Sequence, residues 1–307
     1  MPTASITPLL RCGRISARRI CTLQSSRTRR ATGSSGSSRA SRNLIVRIGT
    51  AVVGIPLVLA ADFAGGWALG ALIAVVASVA GVEFYGIMRS AGYRPAFLLG
   101  VACVIVIAVL PLSNPSPQNA WIFILLVLLA LGGLWYLAPG GQTSALGGWL
   151  ATVAGPVYVG LLLGHLSLLR TIPEGAWWVL VALVVTWAYD TGAYAAGTLI
   201  GRRPFMQHIS PRKTLEGVAG GLILSSLTGL VAVPAVGLGG WQSVLLGLAG
   251  GLAAQTGDLF ESMLKRQAGV KDAGAIVPGH GGLLDRIDGL LFVGALTYYV
   301  AAATGHA

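Results

Sequence analysis

The groups able to do chemistry concentrate between Ser262 and Asp288, in the run SMLKRQAGVKDAGAIVPGHGGLLDRID. It holds Lys265, Arg266, Lys271, Asp272, His280, Asp285, Arg286 and Asp288, in a chain of which only 10% is charged. Asp258 and Glu261 lie just upstream, inside the end of an apolar segment. Charge at membrane depth is costly, and such residues face a protein interior or a wet cavity and mark function. Carboxylates suited to a hard cation and bases suited to phosphate stand on either side of a glycine-rich turn. That combination points to chemistry on a phosphorylated substrate.

The spacing assigns roles. Asp258, Ser262 and Lys265 share one face of a helix. Glu261 is open between a helix-end salt bridge to Lys265 and a part in the site. Asp285 and Asp288, spaced i,i+3 at the start of the last helix, can share a cation, although acids are also favourable at a helix N-terminus. The turn Gly279-His280-Gly281-Gly282 lets backbone N–H groups approach phosphate, with His280 as a further donor. Lys265, Arg266 and Lys271 would serve as cytosolic anchors in an average membrane protein. The acids and glycines around them favour phosphate contacts here.

A second cluster lies upstream. Asp190 falls within an apolar segment, beside Tyr189 and Gly192, and is expected to face the interior. Ser210-Pro211-Arg212-Lys213 reads as a cap followed by proline in a first helical turn, and that helix end with Lys213 would be an anion site. Glu216 is open between Lys213 and a metal. Glu83 reads as a hydrogen-bonding group of the bundle rather than a ligand, and Asp62 is an isolated acid beside an early span.

These groups need scaffolding, and composition says of what kind. The chain has 307 residues, 54% hydrophobic, with a mean hydropathy of +0.76. A soluble domain is less apolar and carries more than twice the charge. Long apolar runs exclude an alternating β-barrel pattern, so the expectation is an all-α polytopic membrane protein. Its 44 glycines suit close helix packing. About nine spans are expected, near 44–61, 66–88, 96–112, 120–138, 146–169, 176–200, 217–237, 241–264 and 286–304. Residues 44–170 would form N-terminal helices and 171–307 the catalytic region. Basic residues after the second, sixth and eighth spans fall on one side, the cytosol by the positive-inside rule. The site would then lie at the cytosolic ends of the C-terminal spans.

Residues 1–47 hold ten Arg and no acid, so the formal charge of +11 reports one tail, not a nucleic-acid surface. The Arg/Ser-rich stretch 1–43 is expected to be disordered. It reads as an organelle transit peptide, a lipid-resting tail or an over-extended start. Cys12, Cys21 and Cys103 have no metal-binding spacing.

The run Ser262, Lys265-Arg266, Lys271-Asp272, Gly274, Pro278, His280-Gly281-Gly282, Asp285-Arg286, Asp288 resembles the signature of the phosphatidate cytidylyltransferase family, as do GDLFES and SPRKTLEG upstream. The resemblance spans about 44–305. It implies transfer from CTP to phosphatidic acid, giving CDP-diacylglycerol and pyrophosphate, with Mg²⁺, a second monovalent cation such as K⁺, and a homodimer. Under it, Asp258, Asp285, Asp288 and Asp190 are expected metal ligands. Lys265, Arg266, Lys271, His280 and Arg286 are expected catalytic groups, and Ser210, Lys213, Ser262, Gly281 and Gly282 are expected to bind substrate. The implied setting is a bacterial inner membrane, or an organelle membrane if residues 1–43 are a transit peptide. A secondary transporter of an anionic solute, or another membrane lipid kinase or nucleotidyltransferase, is the competing reading.

Overall fold

A computed structural model describes residues 52–114, 116–137, 145–274 and 281–306. The expectations for the basic tail, for the first span before Val52 and for His280 lie outside these residues. Val52–Ala307 pack as one unit.

Apolar composition over some twenty residues, broken by Pro and Gly turns, gives helices along almost the whole described chain. They are α1 (Val52–Ala64), α2 (Gly66–Ser90), α3 (Phe97–Val109), α4 (Gln118–Leu137), α5 (Ala145–Gly155), α6 (Leu162–Thr171), α7 (Gly175–Leu199), α8 (Leu215–Ala232), α9 (Trp241–Gln267) and α10 (Leu284–Ala303). The expected spans coincide with them within a few residues wherever the chain is described. Among the described residues five stretches are long and apolar enough to cross a bilayer: Gly66–Ser90, Leu146–Thr171, Gly175–Leu199, Leu215–Val236 and Leu284–Ala303. Exposed Leu98, Leu131 and Val231 suit helices whose outer faces meet lipid. The protein is an all-helical integral membrane protein. Helix α9 is 27 residues long, but Asp258, Glu261, Lys265 and Arg266 make its last turns polar.

The expected fifth span has an irregularity with a clear cause. Pro156 has no N–H to give to the Thr152 carbonyl, and the chain opens into a wider turn over Pro156–Leu161 before continuing as α6. The Tyr85 hydroxyl, from α2, donates to that Thr152 oxygen instead at 2.7 Å. The Thr152 hydroxyl in turn accepts from the Ala96 N–H at 2.9 Å. A single buried threonine thus joins α5 to α2 and to the start of α3.

In the C-terminal half, α7 packs on α8, α8 on α9, and α9 on α10, while α10 also meets α6, α7 and α2. Small residues set these distances. A Cβ on Gly247 would lie 2.8 Å from the Ser226 Cα on α8. A Cβ on Gly257 would lie 2.9 Å from the Gly289 Cα on α10. Because lipid solvates apolar side chains as well as protein does, such close backbone packing is what holds membrane helices together. It also brings Asp258 on α9 beside Asp288 on α10.

Candidate active site

One end of the bundle gathers the ionisable groups. The last third of α7, the start of α8, the end of α9 and the start of α10 meet there, with the last turns of α2 behind them. Between α7 and α8 the chain makes a short hairpin, not the early helix expected at Ser210. The Phe205 N–H donates to the Lys213 carbonyl at 2.8 Å and the Leu215 N–H to the Arg203 carbonyl at 2.9 Å. The chain therefore turns through 206–212 and does not enter a helix until after Thr214. Thr214, not Ser210, caps α8, accepting from the Gly217 N–H at 3.1 Å. Ser210 instead belongs to a turn, its N–H donating to the Met206 carbonyl. Glu216 does not pair with Lys213, which pairs with Asp258. Its carboxylate accepts from the N–H groups of Arg202 and Arg203 at 3.0 and 3.1 Å and ties the hairpin to α8.

The hairpin roofs a cavity of about 260 Å³ lined by Asp190, Arg212, Lys213, Gln255 and Asp258. Lys213 Nζ stands 2.6 Å from Asp258 Oδ2, and the Ser262 hydroxyl donates to Asp258 Oδ1 at 3.3 Å. The buried Tyr189 hydroxyl donates to Gln255 Oε1, bracing α7 against α9 beneath the cavity. The charges of Asp258, Lys213 and Arg286 all act on Asp190, and those of Asp258 and Asp190 on Asp288. Three expected metal ligands therefore form one electrostatic group. Asp288 Oδ1 accepts from the Gly289 N–H at 2.7 Å.

A second cluster lies one turn further along α9. Lys265 Nζ pairs with Glu261 at 2.8 Å and with Asp285. The remaining Asp285 oxygen accepts from the Ala273 N–H at 3.0 Å and the Gly282 N–H at 2.9 Å. Asp285 thereby fastens both sides of the glycine-rich loop. Gly281 has φ +83°, in the left-handed region that glycine adopts without strain. A Cβ on Gly282 would sit 2.8 Å from the Gly274 nitrogen and 2.9 Å from the Asp285 and Glu83 carboxylates.

Glu83 is the residue whose part in this region the sequence understated. It is buried on α2, and its carboxylate accepts from the Leu283 N–H at 3.0 Å and the Leu284 N–H at 2.7 Å. A side chain 200 positions away caps α10, the helix that carries Asp285 and Asp288. An acid inside an apolar helix is the signal that could have found it, though nothing in the sequence names its partner.

Other expected residues are placed elsewhere. Arg266 is exposed and its Nε donates to the Ile209 carbonyl at 3.1 Å, holding the hairpin to α9. Lys271 is exposed beyond the end of α9. Arg286 lines a separate, apolar cavity. Asp62 has a partner in Arg170, at 3.5 Å.

For a divalent cation the donor chemistry fits. Mg²⁺ uses one or two carboxylates, with water and phosphate oxygens completing its shell, and Asp190 and Asp258 line one cavity. Among the described residues no three His, Cys, Asp or Glu side chains form a ready cage. Asp285 is nearly buried, with both oxygens held by Lys265 and the loop, whereas Asp258, though paired with Lys213, faces the cavity with Asp190; these two are the stronger candidates.

The profile of the cytidylyltransferase family matches residues 45–304. The chain belongs to that family. Among similar proteins, the phosphatidate cytidylyltransferase of Synechocystis sp. is 32% identical over 283 residues, covering 82% of this chain and 94% of that protein. That of Mycobacterium tuberculosis is 34% identical over 245 residues, 72% of this chain and 71% of that protein. That of Staphylococcus saprophyticus is 44% identical over 138 residues, 44% of this chain and 52% of that protein. A cytidylyltransferase assignment makes the cavity between α7, α8 and α9 the candidate active site, since two carboxylates and a lysine converge there on open space.

Proposed function

We propose that the protein transfers the cytidylyl group of CTP to phosphatidic acid, forming CDP-diacylglycerol and releasing pyrophosphate. The observation that carries this reading is the Asp190–Lys213–Asp258 cavity at one end of an apolar bundle. A polar nucleotide and a lipid headgroup can meet there. A phosphate oxygen of phosphatidate attacks the α-phosphorus of CTP in line, a P–O bond forms, and the bond to the bridging oxygen of pyrophosphate breaks. The attacking oxygen is ionised at neutral pH, so no strong base is required and catalysis is positioning and charge neutralisation.

Asp258 and Asp190 are the residues that would hold Mg²⁺, with Asp288 behind them. A bound Mg²⁺ would neutralise phosphate oxygens and orient them. Lys213, poised on Asp258, would turn to phosphate as substrate enters. Asp285, held by Lys265, fixes Ala273 and Gly282 on either side of the glycine-rich loop, and Gly281 and Gly282 would offer backbone N–H groups to phosphate, with His280 as a further expected donor. Arg266 holds the hairpin from below.

The same reading places nine crossings in a bacterial inner membrane, with 201–215 and 265–284 in the cytosol, where CTP is available, and a homodimer in the membrane plane. In a variant lacking Cys12, Cys21 and Cys103, cysteine probes at Gln207 and Gln267 should resist an impermeant outer reagent, while one at Gly305 reacts. Labelling at Gln207 or Gln267 would refute this topology. The activity itself is tested with purified protein, phosphatidic acid, Mg²⁺ and radiolabelled CTP, dCTP, ATP or GTP. Label from CTP should enter the lipid fraction. Preference for ATP or GTP, or no lipid product at all, would refute the assignment.

A further inference from the structure

An apolar cavity of about 190 Å³ lies between α1, α2, α6, α7 and α10. Its walls include Leu69, Leu72 and Val76 of α2 and Val179, Leu183 and Trp187 of α7. The last three recur every four residues, so they form one stripe along the helix axis. Eight residues at 1.5 Å each make the stripe about 12 Å long. One leaflet of hydrocarbon is about 15 Å deep, half the ~30 Å bilayer core. The cavity is therefore a slot running along the bundle, of about the length of one leaflet.

Its two ends differ. At one end stands Arg286, whose charge acts on Asp190 in the catalytic cavity. Trp187 lies there too, three residues before Asp190 on α7. At the other end stands the buried carboxylate of Asp62, paired with Arg170. The slot thus has a cation toward the reaction and a polar floor at Asp62. An anionic headgroup with an apolar tail matches that order of charge and apolar wall. A free phosphate has no use for the wall, and a neutral hydrocarbon has none for Arg286.

The geometry points to this slot as the seat of one acyl chain of the phosphatidate substrate, with Arg286 on its phosphate and the Asp62–Arg170 floor as a ruler of chain length. This rests on the reading of the protein as a phosphatidate cytidylyltransferase. An acyl chain gains little by leaving lipid for an apolar slot, since both are equally apolar. The slot's effect is therefore guidance: a chain that enters it brings the headgroup to the α-phosphorus in register, and misplacement by an ångström costs on the order of 100-fold.

Two measurements test this. Leu72→Trp fills the slot toward its floor. With dipalmitoyl phosphatidate, kcat/KM should fall by about 10- to 100-fold, while dihexanoyl phosphatidate, whose short chains stop before the block, should be used as before. An equal loss with both lipids, or no loss with either, would overturn the slot. The unsubstituted protein supplies the second measurement. Phosphatidate carrying a photoreactive diazirine in mid-chain should label Leu69–Val76 or Val179–Trp187. Labelling confined to the lipid-facing side of α4, at Leu126 or Leu131, would overturn it. If the unsubstituted protein turns over phosphatidate of no chain length, the activity itself fails. If it turns over all of them while α4 alone is labelled, only the slot does.

Discussion

Helix α9 carries two ion pairs less than one turn apart, and they are built for opposite purposes. The Asp258 side chain, held by Lys213, is 38% exposed and faces a cavity; Glu261, held by Lys265, is 1% exposed. The Lys213–Asp258 pair joins the helix to a hairpin and leaves carboxylate surface free for a ligand. The Lys265 cluster joins α9 to α10 and is closed by backbone amides of the glycine-rich loop. The Lys213 ammonium is itself buried, but Asp258 opens to the cavity, where an entering ligand can take over as partner. A buried pair cannot lose one member without stranding a charge. The same residue types therefore serve as a contact to be exchanged at Asp258 and as a fastening at Glu261 and Asp285.

The contrast can be broken by substitution. The largest effect is expected from Lys265→Met, which leaves two buried carboxylates without their cation. The fold should lose about 3–5 kcal/mol, read as a lowered unfolding midpoint in detergent, and adding Glu261→Gln should return part of it. Asp258→Asn comes next. It should lower kcat by about 10²- to 10³-fold, as loss of a preorganised charge does, while the unfolding midpoint moves little. Equal destabilisation by Asp258→Asn and Lys265→Met would show that the two pairs do the same job.

Glu83→Ala should have a smaller effect, about 2 kcal/mol of stability, the upper range for a lost helix cap. It should also lower kcat, because Asp285 and Asp288 sit on the helix so capped. Glu83→Gln, which keeps one acceptor oxygen, should recover part of both. Smallest of all, deleting residues 2–42 should leave turnover in detergent unchanged, since a basic segment of that composition builds no core. Loss of turnover in a folded deletion protein would bring the tail into the enzyme.

Much of the architecture is legible in the sequence because membrane helices are written locally. An apolar run and its turn residues suffice to place α7 at Gly175–Leu199 against an expected 176–200. Asp190 and Lys213 read as one cluster and Asp258 as part of another; that the three line one cavity follows from the packing of α7, α8 and α9, which the sequence does not state. What failed was local grammar with two meanings. Ser210-Pro211 has the form of a helix start, but backbone pairing of Phe205 with Lys213 and of Leu215 with Arg203 holds it in the turn of a hairpin, and the cap falls to Thr214. What was not available was distance. Glu83 reads as a buried hydrogen-bonding group, as the structure finds it, yet nothing near it in sequence says that its partners are Leu283 and Leu284. Arg286, too, shares a signature with Asp285, and only the hand of the helix sends it to the other side of α10.

The Glu83 contact makes the early helices something other than packaging. A chimera that joins the first helices of one relative to the last helices of another would inherit a foreign partner for the Leu283 and Leu284 amides. Unless the donor supplies an acceptor at the same depth on α2, the graft would fold its spans and still present Asp285 and Asp288 out of register. The smallest exchangeable piece of this enzyme is therefore not its signature loop but that loop together with the last turns of its second helix.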